Sequence, residues 1–162
     1  MLPILFFLAL IAIDQLTKFL AATLLRPIGT VPIINGVFSL TYVANTGAAF
    51  GILEGARWFF VVITAVVMVG IVFYYVRLPK GKAYNKARFA LILIEAGAFG
   101  NFIDRARQGY VVDFLQARFI DFPVFNAADS FVVIGVILFA ILYLFVYKEN
   151  KTERGRAEPE RL

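Results

Sequence analysis

Residues 58–76 form a run of nineteen positions without a single charge. That is long enough to cross ~30 Å of hydrocarbon as a helix. Few folds accommodate such a segment, because lipid offers no partner for an unpaired backbone group and only helices or closed barrels span it. A second uncharged run covers residues 131–147. Two weaker apolar segments complete the pattern: about residues 2–25, interrupted by Asp14, Gln15, Thr17 and Lys18, and about residues 88–103, holding Glu95 and Asn101. The fourth segment as a whole spans about 126–147. The expected fold is therefore an integral membrane protein, mainly α, with four transmembrane helices. Of 162 residues only 17% are charged, against about 25% in a soluble domain. One four-span domain over residues 1–147, followed by a charged tail at 148–162, leaves no room for a second large unit.

Basic residues set the expected orientation. Arg77, Lys80, Lys82, Lys86 and Arg88 lie between the second and third segments, and Lys148, Lys151, Arg154, Arg156 and Arg161 follow the fourth. If all four segments cross, both groups lie on one side, which the positive-inside rule makes cytoplasmic, with both termini. A net charge of +5 thus has a topological explanation that needs no nucleic acid. The first segment has a rival reading as a cleaved signal peptide, but Met1-Leu2-Pro3 carries no positive charge and Asp14 and Lys18 would break its apolar core. It is expected to stay as a span, with nothing removed upstream. Between the first two segments lies the one stretch with evident strand character. Residues 31–34 and 37–43 flank Asn35-Gly36, the favoured pair for a type I′ hairpin. This predicts a small extracytoplasmic sheet over about residues 30–56. Trp58 follows as an interfacial anchor, and Gly47 and Gly51 permit a mobile loop near Phe50.

The chain has no histidine and no cysteine, which excludes Ser-His schemes, thiol nucleophiles and disulfide frameworks. The carboxylates become the candidates. Asp113 and Asp129 bracket the approach to the last apolar run, and ionisable groups at such places are expensive. Asp14 and Lys18, four apart, share a helix face and make an ion pair by themselves. Asn101, Asp104 and Arg105 share another face, as a helix-end salt-bridge cluster. Asn126 and Asp129 suit an N-cap and a first-turn acid. Each group has a structural explanation alone; together they converge at one depth, near the outer interface. Glu95 lies on a different face, about 9 Å deeper than Asn101 by helical rise. Among Ala96, Gly97, Ala98 and Gly100 it is expected to be a protonated, hydrogen-bonded packing residue.

Five blocks resemble those of lipoprotein signal peptidase, also called signal peptidase II. They are Asp14-Gln15-Leu16-Thr17-Lys18, Asn45-Thr46-Gly47-Ala48-Ala49-Phe50-Gly51, Gly100-Asn101-Phe102-Ile103-Asp104-Arg105, Val111-Val112-Asp113-Phe114 and Phe125-Asn126-Ala127-Ala128-Asp129. The resemblance covers about residues 2–147 in the family's order. It implies a bacterial inner-membrane aspartyl endopeptidase that removes the signal peptide from diacylglyceryl-modified prolipoproteins, just before the lipidated cysteine. Carried over by motif, Asp113 and Asp129 are the catalytic dyad, and Asp14, Lys18, Asn45, Asn101, Arg105 and Asn126 line and support the site. Expected partners are the prolipoprotein and membrane lipids; the protein is expected to be a monomer needing no cofactor or metal. Two close carboxylates share a proton, so the pair can activate water and protonate the carbonyl oxygen.

Other schemes use the same residues. An ion-coupled transporter would also bury Asp14, Lys18, Glu95, Asp113 and Asp129, but no broken-helix repeat appears and the carboxylates gather at one surface. Lys18 activating Ser39 or Ser130 would make a Ser-Lys protease. Asp104, Asp113 and Asp129 around a divalent metal would suit lipid phosphates. A non-catalytic packing protein leaves five polar blocks without a purpose.

Overall fold

A computed structural model describes residues 1–48 and 52–147. The charged tail and the Phe50-Gly51 part of the expected mobile loop lie outside the described residues. The elements in chain order are α1 (Leu2–Leu20), β1 (Thr30–Ile34), β2 (Phe38–Asn45), α2 (Arg57–Arg77), α3 (Lys82–Gln108), β3 (Val111–Ala117) and α4 (Ala127–Ile141). α1 and α4 each run on through a π-helical turn, at Ala21–Leu25 and Leu142–Tyr147.

Among the described residues three helices are long and apolar enough to cross a membrane: Leu2–Leu25, Arg57–Arg77 and Ala127–Leu144. Their surfaces are inverted relative to a soluble protein. Along α2 Met68 alone is buried, while Val69 is 71% exposed. α3 differs, with seven charged residues, Lys82, Lys86, Arg88, Glu95, Asp104, Arg105 and Arg107, among its 27. It packs against α1, α2 and α4, and Ala87, Ala90 and Ala96 are fully buried. A helix walled in by three others need not be lipophilic all round, which is why its sequence looks the least membrane-like.

Side-chain contacts fix the directions. Arg88, near the start of α3, donates to the Leu78 carbonyl just past α2 at 2.9 Å. Arg57, at the start of α2, donates to the Ala106 carbonyl near the end of α3 at 2.7 Å. Those two helices are antiparallel. Phe6 stacks on Phe89 at 5.0 Å and Lys18 reaches Asn101, so α1 and α3 run together. α4 returns along α3, and the two approach closely at Gly135, where a Cβ would lie 2.8 Å from the Ala90 carbonyl oxygen. Small residues at such crossings let backbones touch.

The sheet has three antiparallel strands in the order β1-β2-β3. This corrects the expectation that it lies wholly between the first two helices. β3 arrives from beyond α3, pairing Val43 with Asp113 and Asn45 with Val111. Its strand character was hidden in a short run whose partner lies far upstream. The hairpin turn is also not type I′. Gly36 has φ +71° but Asn35 does not have positive φ, whereas type I′ requires it at both. The loop closes instead by Val37 N–H donating to the Ile34 carbonyl at 3.0 Å. Val112 and Phe114 pack against Ala21 and Leu25 at the end of the α1 extension. By strand alternation Val111 and Asp113 present to the opposite face.

Candidate active site

The end of the bundle where α1 and α3 finish and α4 begins is held by one continuous polar network. Asp14, fully buried, pairs with Lys18 at 2.9 Å and accepts from Ala128 N–H at the start of α4 at 3.0 Å. Lys18 also pairs with Asp104 at 3.2 Å. Asp104 in turn accepts from the Val112 N–H of β3 at 3.2 Å, so one buried ammonium ties α1, α3 and the sheet together. A buried charge is tolerable only when paired and hydrogen-bonded, and Lys18 is satisfied three times, by Asp14, Asp104 and Asn101 Oδ1 at 2.8 Å. Gly100 makes room for this cluster; a Cβ there would collide with the Asp14 carboxylate.

The two candidate dyad members hang from this base. Asn101 Nδ2 donates to Asp129 Oδ1 at 2.7 Å. Asn126 caps α4 reciprocally: Asp129 N–H donates to Asn126 Oδ1 at 3.0 Å, and Asn126 N–H donates to Asp129 Oδ2 at 3.1 Å. The same Asn126 donates from Nδ2 to Asp113 Oδ1 at 2.6 Å. It therefore bridges the two aspartates while capping the helix. Asn45 Nδ2 holds the other oxygen of Asp113 at 2.8 Å. Asn45 and Asp113 sit diagonally across the β2–β3 ladder, with Val43 opposite Asp113 and Val111 opposite Asn45. Burial pushes the Asp113 carboxyl up to about 6, with the Asn45 hydrogen bond opposing and the Asp129 charge adding to the rise. Arg105 donates to the Gly47 carbonyl at 2.9 Å and lies over the Phe60 ring at 4.8 Å.

An open cleft of about 480 Å³ exposes this assembly. Asn45, Asn101, Arg105, Asp113 and Asp129 line it, opposite Ile63, Val67, Val132 and Val133 from α2 and α4. Asp14, Lys18 and Asn126 do not line it. They stand behind it, with Lys18 balancing the Asp14 and Asp104 carboxylates. Sequence reasoning missed Gln15, whose Nε2 donates to Asp14, Gly100 and Asp104 at 3.1, 3.3 and 3.2 Å. It stood inside the first motif, the available signal. Asp104, read with Asn101 and Arg105 as a helix-end salt-bridge cluster, takes its ion pair from Lys18 on α1.

The competing schemes fare differently. Ser130 Oγ donates to the Asn126 carbonyl, Ser39 is buried in β2, and Lys18 is hydrogen-bonded to neither. Glu95 is separate from the network. Its Oε2 is buried without a hydrogen-bond partner among the described residues. It borders a cavity of about 250 Å³ lined by Pro3, Ile4, Phe7, Ile71, Val72, Tyr75, Leu91 and Ile92. The expected hydrogen bond of Glu95 is not formed at Oε2 among the described residues, since nearly all of the residues lining that cavity are hydrocarbon.

An apolar helix bundle with carboxylates gathered in a cleft at one end defines a membrane protein with a buried acidic centre. The comparisons make it more specific. The model of the signal peptidase (SPase) II family matches residues 6–145. The lipoprotein signal peptidase of Caldanaerobacter subterraneus subsp. tengcongensis is 50% identical over 82% of this chain and 89% of its own length. That of Brevibacillus brevis is 49% identical over 90% of this chain and 94% of its own. Among solved structures, a bacterial membrane enzyme determined by the in meso method at 2.3 Å superposes with a TM-score of 0.78 at 36% identity, covering 99% of this chain and 93% of the other. A second, at 1.9 Å, gives a TM-score of 0.77 at 40% identity, covering 89% and 93%. The chain belongs to the signal peptidase II family.

Proposed function

We propose that the protein is a four-span aspartyl endopeptidase. It cleaves the signal peptide from diacylglyceryl-modified prolipoproteins immediately before the lipidated cysteine, using Asp113 and Asp129 as a proton-sharing pair. The observation that carries this reading is the double use of Asn126, which hydrogen-bonds both carboxylates beside a cleft that receives them. A pair sharing one proton has an ionised member to deprotonate water and a protonated member to donate to the scissile carbonyl. The titration belongs to the pair, so acid and base are assigned to it jointly. Asn45, Asn101 and Asn126 orient the carboxylates, Asp14 and Lys18 brace them from behind, and Arg105 supplies positive charge at the cleft.

The fourth span is α3. It runs antiparallel to α2 and α4 and extends about 40 Å by helical rise, so it crosses wherever they cross. Residues 1–147 then form one peptidase domain with both termini cytoplasmic in a bacterial inner membrane, as the basic residues between α2 and α3 favour. The sheet and dyad sit near the outer face. There the acyl chains of the substrate stay in lipid while the cut point meets water. The expected partners are the prolipoprotein and surrounding lipid, acting on a monomer.

The test is cleavage of a diacylglyceryl-modified prolipoprotein peptide in detergent by the native chain, Asp113→Asn and Asp129→Asn, with folding checked by circular dichroism. Each substitution should cost at least about 10³-fold in kcat, as removal of a member of a concerted catalytic unit does. Near-native turnover in either variant would exclude the aspartyl mechanism.

A further inference from the structure

Asp113 lies where two cavities meet. The cleft already described has an apolar arm formed by Ile63, Val67, Val132 and Val133, which suits an apolar signal segment arriving from lipid. On the other side of Asp113 a second groove of about 290 Å³ runs past Val43, Ala44, Thr46 and Gly47 to Glu54. Asn45, Ala48, Asp113, Pro123 and Val124 border both.

One wall of that groove is an open strand edge. β1 stops pairing at Thr30 opposite Thr41, with one further bond from Tyr42 N–H to the Gly29 carbonyl at 3.0 Å. The Val112 N–H, opposite Ala44, is spent on Asp104, so Ala44 and Val112 are a pair that exchanges no ladder bonds. Two residues beyond Tyr42, the Ala44 N–H and C=O therefore point to the same side as those of Tyr42, where no strand of the described residues lies. An extended peptide can bond there by strand addition.

Among the described residues, Glu54 is the one charged side chain bordering the groove apart from Asp113. Thr46 Oγ1 donates to its Oε1 at 3.3 Å, and Gly55 N–H ties the same stretch to the Thr46 carbonyl at 3.2 Å. Its Oε2 makes no hydrogen bond among the described residues. Arg105 reaches the Gly47 carbonyl but lines the other cavity, so it does not present its charge to this groove.

We infer that the mature side of the substrate leaves the dyad as an extended strand along Ala44–Thr46, and that Glu54 selects its charge. A basic residue is favoured and an acidic one disfavoured two or three positions beyond the scissile bond. That position follows from a rise of about 3.3 Å per residue, since Asn45 touches Asp113 and Thr46 touches Glu54. This specificity rests on the peptidase reading above.

The experiment uses the full chain in detergent with diacylglyceryl-modified prolipoprotein peptides carrying Lys, Ser or Glu at the second and third positions after the cut. The native protein should favour the Lys over the Glu peptide by about fivefold in kcat/KM, the size an exposed ion pair supports. The ratio should shrink with added salt, fall to near one in Glu54→Gln and invert in Glu54→Lys. It is read within each variant, so a general loss of activity does not obscure it. Equal kcat/KM for the Lys and Glu peptides in the native protein, or an unchanged ratio in Glu54→Gln, would overturn the assignment of Glu54. Failure of the native protein to cut even the Ser peptide would instead overturn the peptidase reading.

Discussion

α3 buries acid side chains in two places and treats them in opposite ways. At its C-terminal end Asp104 is paired with Lys18 and hydrogen-bonded to the sheet, and Gln15, Asn101 and Asn126 are drawn into the same network. At its middle Glu95 faces hydrocarbon with Oε2 unpartnered among the described residues. The first arrangement fixes five elements in one geometry; the second fixes nothing beyond its own helix. Depth in a membrane protein does not by itself mark a functional acid.

The sharpest way to break the contrast is Lys18→Met, which leaves the buried Asp14 and Asp104 carboxylates without their shared cation. Removing one partner of a buried ion pair costs about 3–5 kcal/mol, so thermal denaturation in detergent should show a large fall in Tm and cleavage should vanish with it. Asn126→Ala comes next. It removes the α4 cap, worth about 1 kcal/mol, and also the bridge between the aspartates. kcat should fall about a hundredfold while Tm drops only modestly; a loss confined to stability would mean the bridge has no catalytic value. Asp113 supplies a pH test. Its carboxyl stands near 6 in the fold against an ordinary 3.8, so the folded state holds that proton more tightly. The stability it contributes is full below about pH 4 and gone above about pH 6. If the pair works with one proton, kcat/KM should fall about fivefold from pH 6 to pH 7 as that proton leaves. A flat profile across this interval would assign the shared proton elsewhere. The smallest effect belongs to Glu95→Leu, which replaces an unpartnered carboxyl by a side chain matching its cavity. Cleavage should stay within about twofold and Tm should hold or rise; a tenfold loss of kcat would place Glu95 in the working machinery after all.

Much of this end of the molecule was legible from residue spacing. Asp14 and Lys18 are neighbours by helical geometry alone, and the Asn126–Asp129 spacing announces a cap. The apolar runs at 58–76 and 131–147 define two helices with little ambiguity. What spacing does not carry is convergence between elements. That Lys18 bonds Asn101, or that Asn45 reaches Asp113, depends on packing between positions more than sixty residues apart. β3 escaped notice for the same reason, since a short strand is recognisable mainly by the partner it pairs with. α3 was read too short because its charges dilute its hydropathy, and those charges are tolerated because three other helices shield it.

The position of Asn126 late in the chain carries a consequence for synthesis. A ribosome delivers α1, the sheet and α3 before it delivers the residue that links Asp113 to Asp129. Until α4 has docked, Asp113 lacks one of its two amide donors and its carboxylate partner has not been placed. On the proposed reading of the two aspartates as the catalytic pair, such a centre is inert until its last helix has docked, and completion of that helix doubles as its activation step.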